Sequence, residues 1–245
     1  MKRFLFSCLL MILGMSLSVT AQKTYTLVTA ISNYDQSLRP DCGDLPMVTV
    51  AAQNLRRVLS KHSTSLAMLT GKNANHDNIL AKLRSVCAAA GTNDRVIFYY
   101  GGHGSPGSIC AFDKDVSFAE IIPIFKRSKA QQIICFFESC YSGTAISDVS
   151  PYKWNVSECR NLIMFTSSRP NEVSYGDGNM TVSGFFGKGL QNGLRGMCDV
   201  NKDRNITVIE LFNYIYHYVT RRTYSHQHPQ LVTSADNFGQ ILVSW

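Results

Sequence analysis

No CxxC pair occurs anywhere in the 245 residues, so the spacing that a zinc ribbon or a thioredoxin-type redox motif requires is missing. Beyond Val19 no apolar run is long enough to span a bilayer, which leaves no internal transmembrane helix to place. Lys and Arg outnumber Asp and Glu by seven, but they are scattered rather than gathered into a stripe, so the electrostatic footprint of a nucleic-acid binder is absent. There is no repeat, no linker and no break in composition. With 45% hydrophobic and 17% charged residues, the chain reads as one globular domain without disordered tracts.

What is present begins with Met1-Lys2-Arg3, an apolar run from Phe4 to Val19, and the small-residue end Val19-Thr20-Ala21. These are the three regions of a secretory signal, so residues 1–21 are expected to be removed and 22–245 to form the mature domain, secreted or periplasmic, with no membrane span after cleavage. Eight cysteines are present; Cys8 leaves with the leader and seven remain, an odd number. At least one thiol is then unpaired in an exported chain, and Cys140 is the natural candidate.

Apolar runs alternate with helical periodicity along the chain. Strands are expected at Tyr25 to Ile31, Ser65 to Leu69, Arg95 to Tyr100, Gln132 to Phe137, Leu162 to Thr166, Gln230 to Ser234 and Gln240 to Val243. Between them, a helix from Pro46 presents Val50, Ala51, Leu55, Val58 and Leu59, and a second is capped by Asp77 and stopped by Gly91. Ser117 with Glu120 and Thr207 with Glu210 are spaced as capping boxes for two more, and Phe185, Phe186 and Leu190 belong to a glycine-containing helix. This alternation predicts an α/β domain whose mostly parallel central sheet carries helices on both faces.

Two of the apolar runs end on reactive side chains. Arg95 to Tyr100 leads into Gly101-Gly102-His103-Gly104, and Gln132 to Phe137 leads into Glu138-Ser139-Cys140. Ligands bind at the carboxyl ends of strands in such sheets, so both residues have a positional claim on function. A thiolate can attack a carbonyl carbon to give an acyl-enzyme, and a nearby imidazole can move the protons. Glycines around His103 let substrate backbone approach and leave the amides of Gly104 and Cys140 to face a developing oxyanion.

The blocks Tyr99-Tyr100-Gly101-Gly102-His103-Gly104 and Phe136-Phe137-Glu138-Ser139-Cys140-Tyr141-Ser142-Gly143 resemble the two signature blocks of caspase-like cysteine peptidases, most closely the metacaspase-like branch that is also similar to legumain and clostripain-type enzymes. The resemblance runs from about Tyr25 to the final strand. It implies a caspase-like three-layer sandwich, protein or peptide substrates, no required cofactor, and His103 with Cys140 as a catalytic dyad whose histidine serves chiefly the leaving group. It also implies a role for Glu138, two residues before the cysteine, in holding a basic P1 side chain. Those enzymes usually carry another acid near the position of Ala51 and a serine where this chain has Gly101; Glu172 or Asp177, in the loop after the next strand, could supply replacement charge. A binding module without activity, or an acyl transferase using the same dyad, are the competing readings.

One further motif stands apart. Asp199, Asn201, Asp203, Asn205, Thr207 and Glu210 place oxygens at the spacing of an EF-hand calcium loop, but Arg204 occupies the position that should be glycine. A structural turn that caps the last helix is the other reading of the same residues.

Overall fold

A computed structural model describes residues 21–146, 161–176 and 184–244. In chain order these form β1 (Thr24–Ala30), α1 (Val48–Leu59), β2 (Ser65–Thr70), α2 (His76–Ala89) and β3 (Arg95–Gly101), then the short strands β4 (Gly104–Ser105), β5 (Ser108–Cys110) and β6 (Asp115–Ser117). They continue with α3 (Phe118–Arg127), β7 (Gln132–Glu138), β8 (Leu162–Thr166), α4 (Phe185–Asn192), β9 (Asn205–Thr207), α5 (Val208–Arg222), β10 (Gln230–Val232) and β11 (Ile241–Ser244). The expected leader falls on residues 1–21, nearly all outside the described residues, as do Cys159 and Asp177. No described helix is long and apolar enough to cross a membrane.

The main sheet has six strands in the order β10-β8-β7-β3-β1-β2, parallel except for β10, which runs antiparallel to β8. β3 and β7 are central and buried along nearly their whole length, which is why both read as unbroken apolar runs rather than alternating ones. Alternate side chains still go to opposite layers. Phe98, Tyr100, Cys135 and Phe137 pack with the buried faces of α2 and α3, while Ile97, Tyr99, Ile134 and Phe136 pack with α1, α4 and α5. Edge-to-face contacts lock the first layer, with Phe137 5.7 Å from Phe98 and 5.2 Å from Phe118, and Phe136 stacks on Phe165 at 4.9 Å in the second. Removing a ring such as Phe137 would cost roughly 3–5 kcal/mol.

Both capping boxes form as the sequence predicts: Ser117 with Glu120 starts α3, and Thr207 with Glu210 starts α5. The start of α2 differs. Asn75, not Asp77, accepts the amide of Asn78, and Asp77 lies in the first turn, where its charge favours the helix dipole. Along α1 (Val48–Leu59), Val50 faces solvent and Ala52 takes the buried place, because Ala52, Leu55 and Leu59 fall at i, i+3 and i+7 on one stripe and Val50 lies well off it. The segment after His103 folds into the three-stranded sheet β4-β5-β6, and the last strand, β11, pairs with β9 rather than with the main sheet.

Candidate active site

The register of the two central strands sets up the site. β3 and β7 are parallel with Gly101 opposite Glu138, so His103 and Cys140 each lie two residues beyond one paired position. Both are partly exposed at the carboxyl edge of the sheet.

His103 is held from three directions. Its Nε2 lies 2.8 Å from the carbonyl oxygen of Gly43, which can only accept, so Nε2 carries the hydrogen and Nδ1 is the open nitrogen of the neutral ring. Its amide donates to Tyr34 Oη at 2.8 Å, and the two rings sit 5.2 Å apart. Its carbonyl accepts from Tyr100 Oη at 2.6 Å. Tyr34 and Tyr100 are both buried, and burial pushes their hydroxyls well above the ordinary phenol range, so they serve here as neutral hydrogen-bonding groups.

Cys140 sits on a sharp turn. Tyr141, immediately after it, adopts the left-handed region with φ 56°, an uncommon conformation for a side-chain-bearing residue, and its amide is tied to the carbonyl of Glu172 at 2.8 Å. The carbonyl of Ser139, on the other side, lies within hydrogen-bond distance of the hydroxyls of Ser167, Ser168 and Ser174. Ser174 also donates its amide to Cys140 Sγ at 3.3 Å. Gln227 completes the support, donating to the Ser167 carbonyl at 2.7 Å and accepting from the Tyr175 amide at 2.8 Å. Gly104 faces this turn so closely that an added Cβ would meet the Cys140 carbonyl at 2.5 Å and Ser139 Oγ at 2.6 Å. Its smallness is therefore a condition of bringing β4 up to the cysteine.

Glu138 is buried at the end of β7, on the layer shared with α4. Among the described residues its carboxylate accepts from Tyr99 Oη at 2.6 Å and from the amide of Gly187 at 2.8 Å. Burial outweighs those two bonds and raises its pKa from 4.5 to about 7. Gly184 and Gly187 wrap it, and a Cβ on either would run into the carboxylate. The glycines of this helix are visible in the sequence, but their spacing does not reveal that they make room for an acid from β7.

Glu172 lies beside the turn that carries Cys140, its carbonyl accepting the Tyr141 amide. Its carboxylate holds His228, at 2.8 Å from Nδ1 and 2.8 Å from the amide, and reaches Arg169 at 3.6 Å, so it braces the turn after Cys140. Cys42, Cys87, Cys110, Cys140 and Cys198 are thiols, and of these all but Cys140 are buried. Cys140 is thus set apart by exposure rather than by being the odd one left over.

In the Asp199 to Glu210 loop, Lys202 and Arg204 take left-handed φ values of 60° and 64°, so the arginine accepts the conformation that glycine would adopt without cost. Asp199, Asn201 and Asp203 accept the amides of Arg204, Asp203 and Asn205, and Glu210 Oε2 accepts from the Thr207 amide and hydroxyl. Among the described residues no three His, Cys, Asp or Glu side chains converge as metal ligands.

The layered sheet and its helices are those of the caspase-like fold. Solved structures that share it include a protein of Geobacter sulfurreducens, 16% identical with TM-score 0.68 over 89% of this chain and 97% of that one, and caspase-1 of Spodoptera frugiperda, 15% identical with TM-score 0.68 over 91% of each. At such identities they establish the fold alone. No curated protein matches the chain. The model of the Peptidase C13 family matches residues 48–236, most of the chain, and the protein belongs to that family of caspase-like cysteine peptidases.

Proposed function

We propose that the protein is an exported endopeptidase that cleaves peptide bonds through Cys140 and His103. The observation that carries this reading is the in-register ending of β3 and β7, which gives one partly exposed thiol and one imidazole with an open Nδ1 the same sheet edge. Cys140 Sγ gives up its proton to Nδ1 of His103 as it attacks the scissile carbonyl carbon, and the amides of Gly104 and Cys140 face the oxyanion. His103 passes a proton to the departing amine, leaving a thioester on Cys140 that water hydrolyses to the free acid. The Gly43 carbonyl steadies the imidazolium by accepting from Nε2 throughout.

Glu138 supplies the P1 preference in this reading. A buried carboxylate whose described partners, Tyr99 and Gly187, are both neutral lacks a counter-charge, and an Arg or Lys side chain of the substrate would provide it. Export rests on the leader-like residues 1–21. The Asp199 to Glu210 loop enters as a structural turn and cap of α5, with no calcium requirement.

The test is a fluorogenic peptide panel varying P1 among Arg, Lys, Asn, Asp and Ala, run on the full chain and on Cys140→Ala. Turnover of Arg and Lys peptides that disappears in Cys140→Ala, with an unchanged circular dichroism spectrum, is the expected result. Equal turnover by Cys140→Ala refutes the nucleophile, and a preference for an uncharged P1 refutes the role given to Glu138.

A further inference from the structure

The outer face of α5 carries a groove of about 580 Å³, within the range of ligand-binding clefts, and the proposed peptide chemistry does not use it. Side chains three and four apart share one face of a helix, so Glu210, Tyr214, His217, Tyr218, Arg221 and Arg222 line the groove in succession. From Glu210 to Arg222 the helix rises about 18 Å, which matches an extended peptide of about five or six residues. Val200 adds an apolar side chain that is 83% exposed, and the equally unsheltered Met197 has its Sδ 3.6 Å from Tyr214 Oη. The two ends of the groove lie at opposite edges of the main sheet. Before α5, β9 pairs with β11, whose Leu242 carbonyl accepts from Arg95 at the start of β3 at 2.8 Å. After α5, Gln227 donates to the Ser167 carbonyl at 2.7 Å and His228 holds Glu172, so the Arg221–Arg222 end is the one nearer Cys140.

The lining selects the chemistry of an occupant. Tyr214 and Tyr218 stack at 6.1 Å with their planes 20° apart, and the Arg222 guanidinium lies over the Tyr218 ring at 5.3 Å. A guanidinium stacked on a ring keeps its in-plane N–H groups for a carboxylate. Among the described residues no carboxylate pairs with Arg221 or Arg222, and both side chains are exposed. At the other end Glu210 carries the opposite charge, its Oε2 accepting from the Thr207 amide and hydroxyl. A uniform polyanion, such as a nucleic acid or an anionic lipid surface, would set its own charge against Glu210. A peptide with its acids gathered at one end would not.

We propose that this groove docks an extended acidic segment of a protein substrate, apolar where it follows Tyr214 and Val200 and carrying its carboxylates at the Arg221–Arg222 end. Apolar side chains of the segment cover the tyrosine faces and Val200, and its carboxylates pair with the two guanidinium groups. Docking there holds the substrate at the edge where the scissile bond meets Cys140, which raises its effective concentration at the cysteine. That the segment belongs to a substrate rests on the peptidase reading; the acidic peptide chemistry of the groove does not.

The experiment titrates the full chain by calorimetry with a capped hexapeptide, Glu-Glu-Leu-Ser-Leu-Ser, with the reversed sequence, and with versions of both in which glutamine replaces glutamate. One of the two acidic peptides should bind roughly tenfold or more tightly than its glutamine version, and the double variant Arg221→Gln with Arg222→Gln should weaken it by about the same factor. A second double variant, Arg56→Gln with Arg57→Gln on the exposed side of α1, removes the same net charge and should leave binding as it is. Failure of both acidic peptides to bind, equal binding by the glutamine versions, or equal weakening by the two double variants overturns the proposal. Binding of phosphatidylglycerol vesicles or of a single-stranded oligonucleotide in place of the peptides overturns it as well. The substrate role is read from kcat/KM for a reduced and alkylated acidic protein divided by that for a short Arg peptide. This ratio should fall about tenfold when Arg221 and Arg222 are replaced, and a ratio that holds overturns the role. If neither substrate is cleaved, the peptidase reading is refuted, and calorimetry alone decides the docking chemistry.

Discussion

Replacing Glu138 with glutamine isolates the one acid at the site that is buried among the described residues. The glutamine side chain keeps the shape of the protonated acid and can still accept from the Gly187 amide, while the Tyr99 hydroxyl turns to accept from the new amide nitrogen. In the folded protein the carboxyl titrates at about 7 instead of 4.5, which corresponds to a penalty of about 3 kcal/mol once it is charged. Below pH 4.5 it is neutral whether the chain is folded or not, and nothing is lost. Between 4.5 and 7 the unfolded chain releases its proton while the folded one retains it, so the stability of the native protein falls as pH rises, and above 7 the full penalty applies. Urea unfolding should therefore find Glu138→Gln more stable than the native protein by about 2–3 kcal/mol at pH 8.5 and by less than about 1 kcal/mol at pH 5. The same variant should lose about 10- to 100-fold in kcat/KM toward Arg peptides at high pH, where the charge-assisted pair is gone. A stability difference that does not change with pH, or a variant less stable than the native protein at pH 8.5, would refute the reasoning.

The remaining predictions concern the frame of the site and the distant loop. Gly187→Ala drives a methyl into the Glu138 carboxylate and should destabilise the fold by about 1–3 kcal/mol in urea melts, while Gly239→Ala, with open space around its Cβ position, should act far more weakly. Tyr34→Phe leaves the His103 amide without its acceptor and should cost about 1–3 kcal/mol in stability, with kcat falling more than KM rises in steady-state assays. Thr207→Ala removes one half of the α5 capping box and should cost about 1 kcal/mol by thermal melting. Adding calcium or a chelator should leave the melting temperature of the native protein unchanged; a calcium-dependent rise would assign the Asp199 to Glu210 loop a metal after all.

Much of this architecture is legible from hydrophobic pattern alone, because central parallel strands must be apolar on both faces. β3, β7 and β8 announce themselves, and the capping boxes at Ser117 and Thr207 fix two helix starts to the residue. Short strands do not: β4, β5, β6 and β9 have only two or three residues each, too few for a period to show. At the site, His103, Glu138 and Cys140 stand out because they follow those apolar runs. Their supports do not. Tyr34, Gly43 and Ser174 lie in loops where only the folded chain brings them near, and Gln227 looks like an ordinary polar residue after a helix. Glu172 is legible as an acid close to the site in sequence, yet its carboxylate turns to His228, a partner 56 positions away.

The pairing of Gly101 with Glu138 makes the placement of the proposed catalytic pair a matter of counting. Each residue advances a strand by about 3.3 Å and reverses the direction of its side chain. A one-residue deletion within β7 that preserved the hydrogen-bond ladder would send Phe136 and Phe137 into each other's layers, and the helices on both sides would object before any chemistry was attempted. Two deletions would restore the layers yet withdraw the sulfur by about 6–7 Å, well past contact with the imidazole's substrate. The sheet thus acts as a ruler with a parity check: odd errors in length are rejected by folding, and even errors fold into silent enzymes.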